Sequence, residues 1–577
     1  MLPFNKNYWW IFPLSVLYVS GLIFLWHPLL VFSSGVDTFD FAGKMILYNN
    51  YPKFIIVFLA LVFIFTVIPK RLKSVFSFLS LFIVVVVFIN IAIVPINLGS
   101  LQESRFSDQE NLAAPVFLYI LEGLIIAVTF IGVHYMFNKK RLKPAIIFLV
   151  LLNIIVIGHS SFKAYKSGYL FASKYSSANE QVNYIPFSKE KPNVVFFIAD
   201  GFQGWYIKQI MDDNPRLVEN FEGFTWFPNT VSVSNFTHAS MPALLCGHDY
   251  GIEWMNSTET LSISEKITKA TELFLSQVNQ SGYVYTGNKV HYSRLENEKY
   301  DNIIPEWNDS WLKLVDEKNL NKFHNIWFNR LYENALFYSV PLAFKPKIYN
   351  DSKWLSGFFP FSSDEGCNFS YDKYYSLRLL PHVSRSNSNN ANFIFIHSHV
   401  PHRPWNIIQN NGKMRCDVSP YENSQWFVLE FSEWLKWMKL NDVYNNTKIV
   451  VVSDHGPSWW QYDGDRKTLQ DNVIVDTNDV DKIRFENFWL LQPLLLVKDF
   501  NANEPFTTDW RLMSNADAST IAFNDRSFSA IDTTGRELRT HYTKWESNMT
   551  NQKSMNIHFS FRVKNNVYDL SNWNLIE

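Results

Sequence analysis

Residues 191–200 read KPNVVFFIAD, a short apolar run between a Lys-Pro-Asn turn and a terminal aspartate. Unbroken apolar runs of this kind are typical of strands that are buried on both faces of a parallel sheet. Four later segments share the pattern: GYVYTG (282–287), NFIFIH (392–397), KIVVVSDH (448–455) and PLLLVK (493–498). Segments of helical character, such as residues 430–440, lie between them. We therefore expect an α/β domain with a doubly wound, mainly parallel sheet.

The first 160 residues differ from this pattern because they consist mostly of long apolar runs. Five of these runs are candidates for spanning a bilayer, whose core needs about 20 residues of helix: residues 9–32, 54–68, 75–96, 115–137 and 145–157. Runs such as FIIVFLALVFIF lack a polar face, which disfavours the alternative of buried helices in a soluble core. The sequence predicts a five-helix transmembrane domain (1–160), a juxtamembrane linker (161–190) and a third domain (191–577).

The charges of the loops predict the orientation of these five helices. The loops after the second and fourth apolar runs are densely basic, with Lys70, Arg71 and Lys73 in one and Lys139, Lys140, Arg141 and Lys143 in the other. Basic loops stay in the cytoplasm. We therefore expect a multi-pass protein of the cytoplasmic (inner) membrane with its N-terminus inside. An odd number of spans then places residues 191–577 outside, in a periplasmic or extracellular space.

The net charge and the cysteines bear on two questions: whether the protein binds nucleic acid and whether it has a thiolate metal site. The 52 Lys and Arg residues balance 53 Asp and Glu residues, so nothing in the charge favours nucleic acid as a partner. The three cysteines, Cys246, Cys367 and Cys416, form no CxxC pair, which argues against a thiolate zinc site. In an exported domain, Cys367 and Cys416 are candidates for a disulfide; three unpaired thiols are the equal alternative.

Polar residues follow three of the predicted strands at their carboxyl ends, where open α/β sheets bind ligands. Asp200 follows the first strand, residues 397–402 (HSHVPH) follow another, and the pair Asp454-His455 follows a third. A strand that ends in one Asp is common and indicates little. Three such ends in one domain indicate a functional site.

The turn NFTHASMPALLCG (235–247) supplies a hydroxyl that complements these residues. Thr237 precedes an apolar stretch of helical character, and one interpretation is that it only caps the helix. The other is that it is a nucleophile, since a helix N-terminus favours an anionic ester. A divalent cation would lower the pKa of its hydroxyl. Asp200, Thr237, Asp454 and His455 provide about four hard or borderline metal ligands.

Taken in order, NVVFFIADGF, THASMPALLCG, HSHVPHRPW and VVVSDHG resemble motifs of the sulfatase/alkaline-phosphatase superfamily. The five apolar segments resemble its membrane-anchored branch, which includes lipoteichoic acid synthase and phosphoethanolamine transferases. The resemblance implies an alkaline-phosphatase-like catalytic domain in which Thr237 is the nucleophile, with metal ligands at Asp200, Asp454 and His455. It also implies that His399 contacts the transferred group or protonates the leaving group.

His402 is a second candidate for the role of His399, and a packing histidine beside Pro401 and Trp405 is the alternative. Sulfatases of this family carry a Cys or Ser that becomes formylglycine; Thr237 cannot form that aldehyde, which disfavours sulfate esters. Residues 457–465, after the DHG motif, contain no histidine for a second metal. We therefore expect one divalent metal ion, zinc or manganese.

These features predict the transfer of a phosphoglycerol or phosphoethanolamine type group through a covalent Thr237 intermediate. The expected donor is a membrane phospholipid, and the expected acceptor is a cell-envelope glycan or glycolipid. The alternatives are a phospho- or sulfo-ester hydrolase of the same fold and a non-catalytic, lipid-sensing membrane regulator. Glu122, inside the fourth apolar run, is interpreted either as a ligand for a lipid headgroup or as a structural hydrogen-bond acceptor.

Overall fold

The computed structural model divides into two compact units. The helical unit consists of Met1–Gln181 and Val315–Phe369, and the sheet unit consists of Val182–Leu314 and Ser370–Glu577. We call Val315–Phe369 the insert. The structure describes residues 8–34, 44–93, 101–102, 105–106, 114–166, 184–257, 260–304, 311, 317–350, 354–355, 371–403, 405–409, 414–416, 418–456, 488–524, 533–544 and 551–576.

Long apolar helices make up the N-terminal part of the helical unit: α1 (Tyr8–Gly21), α2 (His27–Ser34), α3 (Lys44–Val67), α4 (Lys70–Ala92), α5 (Val116–Asn138) and α6 (Lys143–Lys166). A π-helical turn, Leu22–Trp26, joins α1 to α2. The described part of this unit therefore contains five helices that are long and apolar enough to span a membrane: Trp9–Ser33, Met45–Val67, Lys70–Ala92, Val116–Asn138 and Lys143–Phe162. The prediction of five apolar helices is confirmed, and the second and fifth are longer than their apolar runs.

The insert contributes a 23-residue helix, Glu317–Ser339, a 3₁₀ turn, Leu342–Phe344, and a short helix, Lys345–Tyr349. These elements belong to the helical unit, so the observed division differs from the predicted single domain over residues 191–577. The physical reason is apolar packing. Phe328 and Leu331 of the insert form one buried cluster with residues of α2 and α3, namely Leu29, Phe32 and Ile46.

An eight-stranded sheet forms the centre of the sheet unit. Its strands are β1 (Asn193–Ala199), β2 (Phe224–Trp226), β3 (Val284–Gly287), β4 (Asn302–Ile303), β5 (Asn392–Ser398), β6 (Thr447–Val452), β7 (Leu495–Lys498) and β8 (Thr507–Thr508). The order is β8-β2-β7-β6-β1-β5-β3-β4. Neighbours from β6 to β4 pair in parallel, whereas β7 is antiparallel to both β6 and β2. The predicted mainly parallel sheet is confirmed, and each predicted run contains a strand.

Helices cover both faces of this sheet. They are α7 (Tyr206–Asp213), α8 (Thr237–Cys246), α9 (Ile252–Ser257), α10 (Ile263–Gln280), α11 (Tyr371–Arg378), α12 (Leu380–Val383), α13 (Pro420–Leu440) and α14 (Asp517–Phe523). Phe196 of β1 packs against Phe274 of α10 on one face, and Phe197 packs against Phe427 and Phe431 of α13 on the other. Because successive strand residues point to opposite faces, β1 contacts helices on both sides of the sheet. Helices on both faces make the fold doubly wound. Fully burying one such side chain contributes roughly 1.5–3 kcal/mol.

Smaller elements complete the described chain. Three 3₁₀ turns are Pro215–Phe221, His248–Tyr250 and Asn297–Lys299, and a fourth is Leu570–Asn572. The short pairs of strands are Leu101–Gln102 with Arg105–Phe106, Ile185–Pro186 with Ser384–Arg385, Thr230–Val231 with Met513–Ser514, and Asn406–Ile408 with Met414–Cys416. The C-terminal three-stranded sheet is Glu537–Thr543, Ile557–Lys564 and Trp573–Leu575.

Two predictions lie at least partly outside the described residues. Cys367 is not described, and for Cys416 only the backbone is, so the proposed disulfide between them stays a prediction. Cys246 is a free cysteine. Residues 457–465, whose lack of histidine led to the prediction of one metal, are also outside the described part of the chain.

Candidate metal and catalytic site

The register of the central strands brings the predicted polar residues to one edge of the sheet. β1 lies between β5 and β6, and Ile198 of β1 pairs with His397 on one side and with Val452 on the other. Because all three strands are parallel, their carboxyl ends meet at the same edge. Asp200 leaves β1 at this edge, between His399 on one side and Asp454 on the other.

A tight turn at Gly201 connects the two acids. The φ of Gly201 is +67°, in the left-handed region that glycine adopts without strain. The turn directs the Gly201 N–H at the Oδ1 of Asp454, which accepts it at 3.1 Å. The same oxygen also accepts the backbone N–H of His455 at 3.1 Å. These two bonds fix the Asp454 carboxylate and leave its Oδ2 for another partner.

Thr237 is the first residue of α8 and not its cap. Phe236 occupies the N-cap position, and α8 has no capping side-chain hydrogen bond. The Oγ1 of Thr237 instead lies 3.4 Å from the Nε2 of His455. The hydroxyl therefore faces the imidazole of His455, and its role as a nucleophile stays a prediction.

Four candidate ligand atoms converge around His455. Its Nε2 lies 3.4 Å from Thr237 Oγ1, 3.6 Å from Asp200 Oδ1 and 3.4 Å from Asp454 Oδ2. The Nδ1–H of His455 donates to the carbonyl oxygen of Gly456, so Nε2 is the nitrogen that faces the cluster. A tetrahedral ion with bonds of about 2.1 Å separates its ligand atoms by about 3.4 Å. The three distances from Nε2 are thus those expected between ligands of one divalent cation.

Buried, unsatisfied oxygen atoms support the same conclusion. Among the described residues, neither Oδ1 of Asp200 nor Oδ2 of Asp454 has a hydrogen-bond partner, although both are buried. A buried carboxylate oxygen without a partner is costly, and a coordinated cation removes that cost. Asp200, Asp454 and His455 form one group whose ligand atoms lie within 4.8 Å of one another. The residues present therefore fit a divalent metal ion.

The other oxygen of Asp200 faces two histidines. His399 Nδ1 lies 2.8 Å from Oδ2 of Asp200, at hydrogen-bond distance, and His397 Nε2 lies 3.4 Å from the same oxygen. Both ring nitrogens of His397 are buried without a hydrogen-bond partner among the described residues. These residues form a second potential metal-binding group with Asp200. Outer hydrogen bonds of this kind orient carboxylates that bind metal through their other oxygen.

The sequence interpretation did not single out His397 or His291. The spacing of two between His397 and His399 was the available signal for His397, since alternate residues of a strand share one face. The His291 ring lies 5.1 Å from the His399 ring and 5.9 Å from the His397 ring. His291 follows β3 in a loop, and no local pattern assigns it to the neighbourhood of β5.

His402 lies on the other side of the cluster. Its ring is 6.3 Å from the His455 ring, and its Nδ1–H donates to the carbonyl oxygen of Arg403 at 2.7 Å. Trp405 donates from its indole nitrogen to the carbonyl oxygen of Pro401 at 3.0 Å. The structure therefore places His402 near the predicted ligands, and its role in the reaction stays a prediction.

Burial and neighbouring charges shift the pKa values of several site residues. Burial raises the pKa of Asp200, but the facing His402, His397 and His399 outweigh burial and hold that pKa well below its usual range. Burial lowers the pKa of His455, but Asp454 and Asp200 outweigh burial and raise it. His238, beside Thr237, has a pKa lowered to about 3 by burial and by its neighbours His455 and His291.

No protein-family model and no curated protein matches this chain. Among solved structures, a phosphonate monoester hydrolase of Agrobacterium radiobacter is similar at 10% identity, with a TM-score of 0.33 over 66% of this chain and 88% of that chain. A sulfatase from Pseudoalteromonas sp. is 11% identical, with a TM-score of 0.31 over 67% of this chain and 82% of that one. A protein in the alkaline phosphatase superfamily from Vibrio parahaemolyticus is 11% identical, with a TM-score of 0.28 over 61% and 71%.

Proposed function

We propose that the sheet unit catalyses metal-dependent cleavage or transfer of a phosphate ester, with Thr237 as the nucleophile. One observation carries this proposal: Asp200, Thr237 and Asp454 each place an oxygen 3.4–3.6 Å from Nε2 of His455. A divalent cation held by these atoms would lower the pKa of the Thr237 hydroxyl and stabilise developing negative charge. Zinc and manganese suit this mixture of carboxylate, hydroxyl and imidazole ligands.

The first step is displacement at phosphorus. The Oγ1 of Thr237 gives up its proton to solvent water and forms a bond to phosphorus, and the bond from phosphorus to the lipid alcohol breaks with its electron pair on oxygen. His399, hydrogen-bonded through Nδ1 to Asp200, is the candidate group that protonates this leaving oxygen. The product of the step is a phospho-threonine at Thr237 and a free diacylglycerol-like alcohol.

The second step returns Thr237 to its starting state. An acceptor hydroxyl gives its proton to His399 and attacks phosphorus, while the bond to Oγ1 of Thr237 breaks and that oxygen takes a proton from solvent water. A glycan or glycolipid hydroxyl as acceptor completes a transfer, and water completes a hydrolysis. The five apolar helices support a membrane lipid as donor, because they keep the chain at a bilayer. We therefore favour a phosphoglycerol or phosphoethanolamine group from a phospholipid, transferred outside the cytoplasmic membrane.

Two other functions predict different results. A hydrolase of the same fold, acting on a phospho- or sulfo-ester, would give the same product whether or not an acceptor alcohol is present. A lipid-sensing regulator would need no bound cation and no nucleophile. The converging ligand atoms and the placement of Thr237 beside them favour an enzyme over a regulator.

Intact-mass analysis of the full-length protein tests the proposal. The protein is purified in detergent with its bound metal and is exposed separately to phosphatidylglycerol and to phosphatidylethanolamine vesicles. We expect a mass increase equal to the transferred headgroup phosphate, located at Thr237 by peptide fragmentation.

The matched controls are Thr237→Ala and Ser240→Ala. Both remove a hydroxyl from the first turn of α8, but the Ser240 hydroxyl bonds to the carbonyl oxygen of Ser234 and not to the cluster. The adduct should vanish in the first variant and persist in the second. Lipid turnover by Thr237→Ala at the native rate would overturn the assignment of the nucleophile.

A further inference from the structure

The insert lies at one end of the helical unit. Leu29 and Phe32 of α2, near the C-terminal end of the apolar span Trp9–Ser33, pack against Phe328 and Leu331 of the insert helix. Near the start of α3, Asn50 accepts the hydroxyl hydrogen of Tyr332. This is the end at which the chain leaves α2 and enters α3.

The 3₁₀ turn of the insert contacts the same end of the next pair of helices. Leu342 shares a buried cluster with Ile89, close to the C-terminal end of α4, and with Ala114, just before α5. The basic residues Lys70, Arg71 and Lys73 form the first turn of α4, and Lys139, Lys140 and Arg141 follow α5, so both basic groups lie at the opposite end. By the positive-inside rule, the insert is therefore on the outer side of the membrane.

The insert donates a hydrogen bond to Glu122, and the position of Glu122 in α5 shows how far the insert extends along the helices. The backbone N–H of Leu342 lies 3.2 and 3.0 Å from the two carboxylate oxygens of Glu122, which is itself buried. Glu122 follows Val116, the first residue of α5, by six positions, which is about 9 Å along a helix. The structural interpretation of Glu122 is thereby supported: it binds the insert backbone.

The side chains of α5 at this depth are exposed and apolar. Val116, Phe117, Ile120 and Leu121 are 74%, 62%, 61% and 47% exposed. In a helix that crosses a bilayer, such side chains are covered by lipid. The backbone of Leu342 thus lies at a level of the protein that a membrane surrounds.

We propose that residues 342–349 (LAFKPKIY) are an interfacial membrane segment, embedded in the outer leaflet at the boundary of headgroups and acyl chains. Phe344 is 53% exposed beside Leu342, and Ala343 and Lys347 are also exposed. Lys345 folds back and donates to the carbonyl oxygen of Phe337 at 2.8 Å, so it is already satisfied. An exposed Phe near an exposed Lys suits this boundary, because acyl chains cover the ring and lipid phosphates attract the ammonium group.

The segment has a structural consequence for the sheet unit. The insert is continuous with the sheet unit at residues 314 and 370, in addition to the connection through residue 182. An embedded insert therefore gives the sheet unit membrane attachments at both ends of the insert as well as after α6. This inference concerns lipid contact alone and does not depend on the chemistry proposed for Thr237.

Spin-label accessibility in lipid nanodiscs tests the proposal. The full-length chain is prepared with Cys246→Ser, Cys367→Ser and Cys416→Ser, and single labels are attached to Phe344→Cys or Ala343→Cys. We expect the collision rate of both labels with oxygen to exceed that with a water-soluble nickel chelate, as for a Phe117→Cys control on α5. Leu273→Cys, which replaces a 41% exposed side chain on α10 of the sheet unit, is the water-exposed control.

The second labelled position guards against a local disturbance caused by one label, and size-exclusion chromatography confirms that each variant is folded. Nickel accessibility at positions 343 and 344 equal to that of the Leu273→Cys control would overturn the proposal. A profile at both positions like that of Phe117→Cys supports it.

Discussion

The Oγ1 of Thr237 lies 3.4 Å from the Nε2 of His455, although 218 positions separate the two residues in the chain. Thr237 begins a helix, and His455 follows the end of a central strand. The fold thus places a hydroxyl beside an imidazole, which is a common ligand of divalent cations. The proposed chemistry depends on this proximity.

Replacement of Thr237 should separate the nucleophile from the fold. We expect Thr237→Ala to reduce lipid turnover by about a thousandfold or more, because the change removes the hydroxyl that is proposed to form the covalent intermediate. Thr237→Ser keeps the hydroxyl and should retain measurable activity. Ser240→Ala is the control on the same helix, and its turnover should stay near the native value. Headgroup release is measured by mass spectrometry, and unchanged thermal unfolding shows that each variant is folded.

Replacement of Asp454 or His455 should weaken cation binding. Asp454→Asn keeps an acceptor for the N–H groups of Gly201 and His455, so the turn is preserved while the negative charge is lost. We expect the affinity for zinc or manganese to fall by more than the roughly 10- to 100-fold that the loss of an outer hydrogen-bond partner costs. Metal content and calorimetric titration measure this effect. Asp509→Asn, an acid paired with Arg511, is the control. Unchanged metal-to-protein ratios in Asp454→Asn and in His455→Ala would reject these ligands.

Two interpretations of His397 make opposite predictions about stoichiometry. As an outer partner of Asp200, it orients the carboxylate for one cation; as a ligand, it belongs to a second cation site. The charge balance favours the first interpretation. A second divalent ion would share the single charge of Asp200, and Lys373 lines the same small cavity as His397.

We therefore expect His397→Phe to reduce metal affinity about 10- to 100-fold and to leave the stoichiometry at one cation per chain. His397→Gln keeps a side-chain N–H and should recover part of the affinity. Because cobalt absorbs visible light according to its ligand geometry, the spectrum of the cobalt-loaded variants reports on the orientation of Asp200. Two cations in the native protein and one in His397→Phe would contradict this expectation.

The ion pair between Glu253 and His541 should make stability depend on pH. His541 Nε2 lies 3.1 Å from Oε1 of Glu253, and this hydrogen bond is the main cause that lowers the pKa of Glu253 to about 2. Because the folded pKa is below the ordinary value, the pair stabilises the fold above about pH 4.5 and loses its effect as pH falls toward 2.

The change Glu253→Gln should thus lower the unfolding temperature at pH 5.5 and by less at pH 3.5. The effect should correspond to at most about 1 kcal/mol, since Glu253 is half-exposed and water screens the pair. Differential scanning fluorimetry of the full-length protein measures it. Glu272→Gln, an exposed acid on α10, is the matched control, and a pH-independent difference for Glu253→Gln would contradict the prediction.

The elements that have a local sequence pattern were predictable without coordinates. Apolar runs of 4–7 residues predicted the strands β1, β3, β5, β6 and β7, because a buried strand needs apolar side chains on both faces. Longer apolar runs predicted five helices that can span a membrane, since a bilayer leaves no place for a polar face. The ends of the strands also supplied Asp200, Asp454 and His455, because parallel strands present their carboxyl ends at one edge.

The contacts between these elements depend on long-range packing, which no local pattern shows. The insert joins the helical unit because Phe328 and Leu331 meet an apolar surface nearly 300 residues earlier, and no period within the insert encodes that surface. The partner of Glu122 and the position of His397 against Asp200 are likewise contacts between distant segments. Sequence patterns report which face a side chain occupies; long-range packing and register decide which side chains share that face.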